Sequence, residues 1–402
     1  MKPILSSSKR WHAGLLCLLL AGLVAAAVPA CGGGVDAAGP AFASTSTPTA
    51  VTQLTTLRSN LVQPWGLALL PDASLLITQK GGSLLRLSAD GASVLATISG
   101  VPAVDDSGQG GLLDVAIDPD FTSTPWVYLS YSEPGSGAQA RLAGTAVLRG
   151  RLVGSALQDV TVIFRQAPKV AGGGHYGSRL VFARDKTLFI TLGERQLGSP
   201  AQDLAQTLGK VVRIQRDGSI PADNPVFAAG ESGARLGIWS FGHRNPQGAA
   251  IHPTTGELWL SEHGPQGGDE INIARAGANY GWPIKSYGCN YGDPVGTACR
   301  IGGDGVHAPT YVEPLTFWVP TSIAPSGLIF YTGAMFPEWQ GNLFSGALAG
   351  KALWRLTLDG NTIVAREAMF GSLGERFRAV LQAPDGALLL LTDGGKLMRL
   401  GR

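Results

Sequence analysis

GAAIHPTTGELWLSEHG, residues 248–264, carries the phrase from which the chain is built: a short run of small and apolar residues, a Pro-Thr-Thr-Gly turn, and a run of strand formers with a polar end. Glycine and proline punctuate it too closely for a helix, and Leu258-Trp259-Leu260 suits a pleated strand. The phrase recurs as WGLALLPDASLLITQKGGSLLRL from Trp65, LDVAIDPDFTSTPWVYLSYSE from Leu113, RLVFARDKTLFITLGE from Arg179, GLIFYTGAMFPEWQGNLFSGALAGKALWRL from Gly327 and AVLQAPDGALLLLTDGGKLMRL from Ala379. Each unit is a small antiparallel sheet that cannot bury both faces alone. Six of them predict an all-β six-bladed β-propeller of four-stranded antiparallel sheets. Two packed sandwich sheets would not generate six copies of one phrase. Unequal spacing between units places insertions in the later blades, where they can wall a pocket. The segment around Val51–Leu57 is expected to complete the last blade and hide its edge.

The chain has 402 residues, 45% of them hydrophobic and 15% charged, enough to bury a large core, and its 56 glycines and 25 prolines point to many turns. Residues 1–30 read as an export leader, with Lys2, Lys9 and Arg10 before an apolar run from Ala13 to Val28. Val28-Pro29-Ala30-Cys31 resembles a bacterial lipoprotein cleavage box, in which Cys31 is acylated and attaches the chain to a membrane on the periplasmic side; plain secretion or an uncleaved anchor is the alternative. Residues 31–50, small, polar and proline-containing, read as a flexible tether, and 51–402 as the propeller. The leader holds three cations and no acids, so the remainder is close to neutral and lacks the basic face that nucleic acid requires. Outside the leader and Cys31 stand Cys289 and Cys299; in an exported chain they are expected to pair, with two reduced thiols as the alternative.

Polar residues cluster at the ends of the second strands, Thr191 and Glu194 in the third unit, Ser261, Glu262 and His263 in the fourth, Thr392 and Asp393 in the sixth, and equivalent ends can converge on one mouth of the channel. Gly172-Gly173-Gly174 presents His175 on a bare loop, where an imidazole can act as a general base. Glu194 lies on the returning strand of the same unit and is expected to orient that ring. Gln109, in a glycine-rich turn, and Arg244, in GHRNPQG at 242–248, add an amide and a cation. Asp269 and Glu270 open a strand and read as turn chemistry with an ion pair rather than as catalysts.

Several ordered motifs carry a resemblance: GQGGLLDVAIDPDF at 108–121, HYGSRLVF at 175–182, GHRNPQG at 242–248, SEHGPQGGDEIN at 261–272, NYGWP at 279–283, IAPSG at 323–327 and ERFR at 375–378. From Gln63 to Leu400 the chain resembles the pyrroloquinoline quinone (PQQ)-dependent soluble aldose sugar dehydrogenases, the glucose/sorbosone dehydrogenase family. The resemblance implies that His175 takes the proton from the anomeric hydroxyl of an aldose while C1 delivers hydride to PQQ, and that a periplasmic acceptor receives the electrons. It places Glu194 where other members carry an aspartate, one methylene shorter. Arg244 would stabilise charge on the quinone oxygen, Gln109, Asn245 and Ser322 would contact the cofactor, and Arg376 and Arg378 would grip its carboxylates. The backbone carbonyls of Gly264 and Pro265 would hold Ca2+. His263 is similar to the broad-specificity aldose branch. One departure stands out: a family lysine that touches the cofactor falls at Ala349, and Lys351, two residues on and about 6–7 Å along a strand, is expected to supply the charge.

Two other functions fit a six-bladed propeller. A calcium-dependent lactonase or esterase would need a central cluster of acidic and amide side chains, where this sequence offers arginines. A non-enzymatic ligand-binding propeller would leave the coincidence of base, acid and cation unexplained.

Overall fold

The computed structural model describes residues 52–227 and 237–402. The leader, Cys31 and the whole of the 31–50 tether lie outside the described residues. Among those described, six four-stranded antiparallel sheets follow one another in chain order. Blade 1 is Pro64–Leu69, Leu75–Gln79, Ser83–Leu87 and Val94–Ile98, and blade 2 is Leu112–Ile117, Trp126–Pro134, Ala143–Val153 and Ala156–Arg165. Blade 3 is Leu180–Phe182, Leu188–Thr191, Lys210–Ile214 and Ile238–Phe241, and blade 4 is Pro246–Ile251, Leu258–Glu262, Asp269–Ala274 and Thr316–Trp318. Blade 5 is Pro325–Phe330, Leu343–Ala347, Leu353–Asp359 and Thr362–Met369. Blade 6 takes Phe377–Gln382, Leu388–Thr392 and Leu397–Gly401 from the C-terminal end and is completed by Gln53–Arg58, which pairs antiparallel with Leu397–Gly401. The chain therefore forms the expected six-bladed propeller, closed by its early strand.

The first strands pack against one another around the channel. Core side chains gather between blades rather than within them. One buried cluster joins blades 1 and 2 through Leu76, Leu84, Val115 and Leu129, another joins 2 and 3 through Tyr128, Val147, Leu188 and Ile190, and the ring continues in this way to the seam between 6 and 1. This is the consequence of sheets whose two faces both need cover.

Hydrogen bonds repeat with the phrase. Each second strand carries a fully buried Ser or Thr hydroxyl at an equivalent place: Thr78, Ser130, Thr191, Ser261, Ser345 and Thr392. Four of them cross to the next blade: Thr78 Oγ1 donates to Leu113 O, Ser130 Oγ to Ser178 O (2.7 Å), Thr191 Oγ1 to Pro246 O (2.9 Å) and Ser261 Oγ to Ser326 O (2.8 Å). Between blades 5 and 6 the donor is Ser326 Oγ, 2.5 Å from Phe377 O. Thus Thr191 and Ser261, at strand ends that the sequence assigns to the channel mouth, are seam residues; the groups just beyond them reach the mouth.

Buried at the centre, the Arg179 guanidinium meets Asp114 at 3.1 Å and donates to Gln247 O at 2.6 Å and Arg378 O at 2.9 Å, while lying 4.1 Å from the Trp65 ring centroid. Asp114 also accepts from Leu180 N at 2.9 Å. One ion pair thereby touches blades 1, 2, 3, 4 and 6. Burial pushes the Asp114 carboxyl up and Arg179 down from their ordinary values, against their mutual attraction. Removing one partner of such a pair strands the other charge. We expect Arg179→Met to cost about 3–5 kcal/mol, measured by denaturant unfolding; a loss below about 1 kcal/mol would show that the pair contributes no more than a surface contact.

Candidate active site

A cleft of about 390 Å³ opens at one mouth of the channel, within the size range of small-molecule sites. Its lining is drawn from the blade ends: Lys80 follows the second strand of blade 1, His263 that of blade 4, Leu348 that of blade 5 and Asp393 that of blade 6, with Trp65, Gln109, Gln247, Arg376 and Arg378 between them. Beside it lies a narrower pocket that shares His263 and is lined by Arg244, Gly264, Glu270 and Trp282.

His175 sits next to this cleft. Its backbone N–H donates to Gln109 Oε1 at 2.8 Å, which ties it to the cleft wall. The ring Nδ1 is 2.6 Å from Glu194 Oε1, and both side chains are buried. With Nδ1–H donating to the carboxylate, Nε2 keeps its lone pair. Glu194 is fixed in turn by Gly198 N at 2.6 Å. His175 holds φ +51°, a left-handed conformation that a non-glycine residue adopts only where its surroundings impose it. Arg195 imposes it from beneath: this buried guanidinium donates to Gly172 O, to Gly174 O (2.8 Å) and to Ala143 O (2.7 Å) and stacks 3.7 Å from the Tyr176 ring centroid. At Gly193 a side chain would collide with the His175 carbonyl, which explains the glycine before Glu194. Burial, Arg244 and Arg195 hold the imidazole below its ordinary value, against Glu194, which raises it.

Arg244 is placed by a second histidine–glutamate pair. Ser240 Oγ lies 2.8 Å from His243 Nε2, His243 Nδ1 lies 2.8 Å from Glu262 Oε2, and Glu262 Oε1 accepts from the Arg244 backbone N–H. The Arg244 guanidinium is 5.2 Å from the Trp282 ring centroid and 6.0 Å from that of Tyr291. Its Nε is buried and, among the described residues, has no hydrogen-bond partner; the same holds for Asn245 Nδ2, whose Oδ1 accepts from Gly177 N at 3.1 Å. Two orphaned donors beside a cleft are what a site awaiting an oxygen-rich ligand presents. The His263 ring, with Nε2 2.7 Å from Pro325 O, is driven by desolvation and Arg244 down to about 3, so it is neutral.

Arg376 and Arg378 converge on one carboxylate. Asp393 accepts from Arg376 Nε at 2.9 Å and Arg378 Nε at 2.8 Å, and Arg378 Nη1 donates to Gln247 Oε1 at 2.8 Å. Gly264 and Pro265 are buried, and neither carbonyl accepts a backbone hydrogen bond among the described residues. Asp269 acts as a stitch: its carboxylate takes Gly264 N, Ser322 Oγ (2.6 Å), Ile323 N and Ala324 N, so Ser322 faces this stitch and does not line the cleft. Burial, with Glu262, Glu313 and Asp269 nearby, pushes Glu270 far up. Lys351 stands exposed at a turn with φ +46°, outside the cleft lining, and Ala349 is exposed beside it.

The expected Cys289–Cys299 disulfide is formed, with Cα atoms 5.1 Å apart. Its loop carries Ser286–Cys289 and Arg300–Ile301, paired as a separate two-stranded sheet. Gln266 fastens it to the Gly264-Pro265 turn through both backbone bonds with Cys289 (2.9 and 3.0 Å) and a side-chain bond to Asp293 O (3.0 Å). Exposed Tyr291 on this loop faces Arg244.

Sequence reasoning left out Lys80, Arg195 and Arg179. The rule of polar second-strand ends, applied to Gln79-Lys80 in the first unit, would have found Lys80. No local signal distinguishes Arg195 or Arg179 from a surface arginine.

The Glucose / Sorbosone dehydrogenase family profile matches residues 61–399. The chain is 45% identical over 349 residues to the aldose sugar dehydrogenase YliI of Escherichia coli (strain K12), covering 86% of this chain and 91% of that one. It is 30% identical over 412 residues to the quinoprotein glucose dehydrogenase B of Acinetobacter calcoaceticus, covering 83% and 84%. A structure of the PQQ-bound aldose sugar dehydrogenase of Streptomyces coelicolor superposes with a TM-score of 0.70 at 29% identity over 88% of this chain and 99% of that one. With six repeats, a buried histidine–glutamate dyad and paired arginines at one mouth, the chain belongs to the glucose/sorbosone dehydrogenase family.

Proposed function

We propose that the protein is a PQQ-dependent sugar dehydrogenase that oxidises the anomeric C1 hydroxyl of an aldose to the lactone. The observation that carries this is the 2.6 Å His175–Glu194 contact, which leaves Nε2 free beside Arg244. PQQ, when bound, supplies the two-electron acceptor for hydride from C1. His175 Nε2 takes the hydroxyl proton, and Glu194 fixes the tautomer and stabilises the imidazolium that results. Arg244, with its unpartnered Nε, stabilises negative charge that develops next to it. Arg376 and Arg378 hold carboxylates, with Gln109 and Asn245 as further polar contacts, and the Gly264 and Pro265 carbonyls suit Ca2+, which accepts neutral oxygen ligands. The cationic cleft speaks against an acid-lined hydrolase centre. Adding Ca2+ and PQQ to apoprotein and following a redox dye with a panel of aldoses tests this reading; ester or lactone turnover without PQQ would replace it with the hydrolase.

His175→Gln should leave PQQ uptake intact and slow sugar oxidation by about 10²- to 10⁴-fold; near-parental turnover in a fully loaded variant would remove His175 from the mechanism.

The pH profile gives a second check. Because burial and Arg244 disfavour the imidazolium, the acid limb of kcat/KM should fall below the ordinary histidine value of 6.5. Neutralising Arg244 as Gln removes a cation, so the limb should move to higher pH. A limb that stays put or moves down would assign it to another group.

The disulfide loop forms a wall over Arg244. Reduction of Cys289–Cys299, or Tyr291→Ala, should raise KM for the sugar several-fold with little loss of thermal stability. A large fall in Tm with KM unchanged would make the loop a stability element only.

A further inference from the structure

We infer that Lys80 is the third cation of the cofactor cleft, supplying the charge that the family lysine would bring at Ala349; this rests on the PQQ reading. Lys80 lines the same cleft as Arg376 and Arg378, whereas Lys351, the substitute expected from sequence spacing, is exposed at its turn and does not. From the 345–351 segment the cleft lining takes Leu348, which brings no charge.

The Lys80 backbone is fixed on both sides, N–H to Gln63 O at 3.1 Å and carbonyl to Leu112 N at 2.9 Å, so the stem leaves blade 1 in a set direction. Its Nζ donates to Gly108 O at 2.7 Å, next to Gln109. An ammonium has three donors, and this one keeps two for a ligand. Charge in the cleft is unbalanced: Lys80, Arg376 and Arg378 line it with one carboxylate, Asp393, which both arginines already share. Desolvation and the Arg378 charge hold Lys80 below its ordinary value, while Asp106 and Asp393 offset this in part. A carboxylate entering the cleft would relieve that repulsion, so the surplus fits an anionic ligand better than a neutral one.

The competing role is mechanical, with Lys80 merely pinning Gly108 and hence Gln109. Charge and mechanics separate in three variants. PQQ is titrated into Ca2+-loaded apoprotein and its dissociation constant read from the absorbance of bound PQQ, with no sugar present. Lys80→Met and Lys80→Gln should each weaken binding roughly ten- to hundredfold, the range for a lost charged hydrogen bond. Lys80→Arg should keep most of the affinity, and Lys351→Met should bind like the parent. Far-UV circular dichroism melts confirm that each variant is folded. Rescue by Gln, which keeps a donor without the charge, would make Lys80 a loop pin. Parental affinity in Lys80→Met, or the loss appearing in Lys351→Met instead, would overturn the inference. If the parent itself takes up no PQQ, the functional reading fails first and carries the inference with it, a result distinct from a parent that binds and variants that do not differ.

Discussion

The Arg179–Asp114 pair in the channel is the interaction on which the rest of the molecule depends. Six sheets around an axis leave a column of inner-strand peptide groups and little room for side chains, and one planar guanidinium can serve several strands at once. Arg179 donates to Gln247 O and Arg378 O, and those two residues both line the candidate cleft. The floor of the site is thus held by the same fork that joins the blades. Preorganisation of the cationic mouth follows from the packing of the ring.

Two histidine–glutamate pairs occur in adjacent blades, each with its partners nineteen residues apart. Spacing alone cannot tell them apart. In the pair His243–Glu262 the second ring nitrogen is occupied by Ser240 and the ring is stacked on Tyr280 at 4.5 Å, so it can only position Arg244. In the pair His175–Glu194 the loop of three glycines and the left-handed backbone turn the ring so that Nε2 stays open. The same local unit serves as a brace at His243 and leaves an open ring nitrogen at His175, and the difference lies in what covers the far nitrogen.

Much of the fold was legible because repetition is a sequence property. The six phrases could be read from periodicity and turn residues, and the closing strand, expected around Val51–Leu57 and found at Gln53–Arg58, from the need to hide a sheet edge. The approach of Glu194 to His175 was legible for the same reason, since a returning strand brings its end back to the loop before it. What could not be read were functions set by the third dimension. Thr191 and Ser261 looked like mouth residues until their hydroxyls were seen to cross the blade seams. Ser322 and Lys351 sit near the site in sequence, yet one faces Asp269 and the other lies outside the cleft lining, while Lys80 reaches the cleft from the opposite end of the chain.

Closure of the last blade by Gln53–Arg58 also sets an order of events during synthesis. That strand precedes the other strands of the ring in the chain, and its partner, Leu397–Gly401, follows them. Until Leu397–Gly401 is made, the growing chain carries an unpaired edge at Gln53–Arg58 and no closed ring around the central ion pair. Closing so long a loop costs entropy before any ladder bond repays it. Before closure the Gln53–Arg58 edge is open to any strand that offers the pattern of Leu397–Gly401, a second copy's included. A chain that lacked either strand would keep the other's edge exposed.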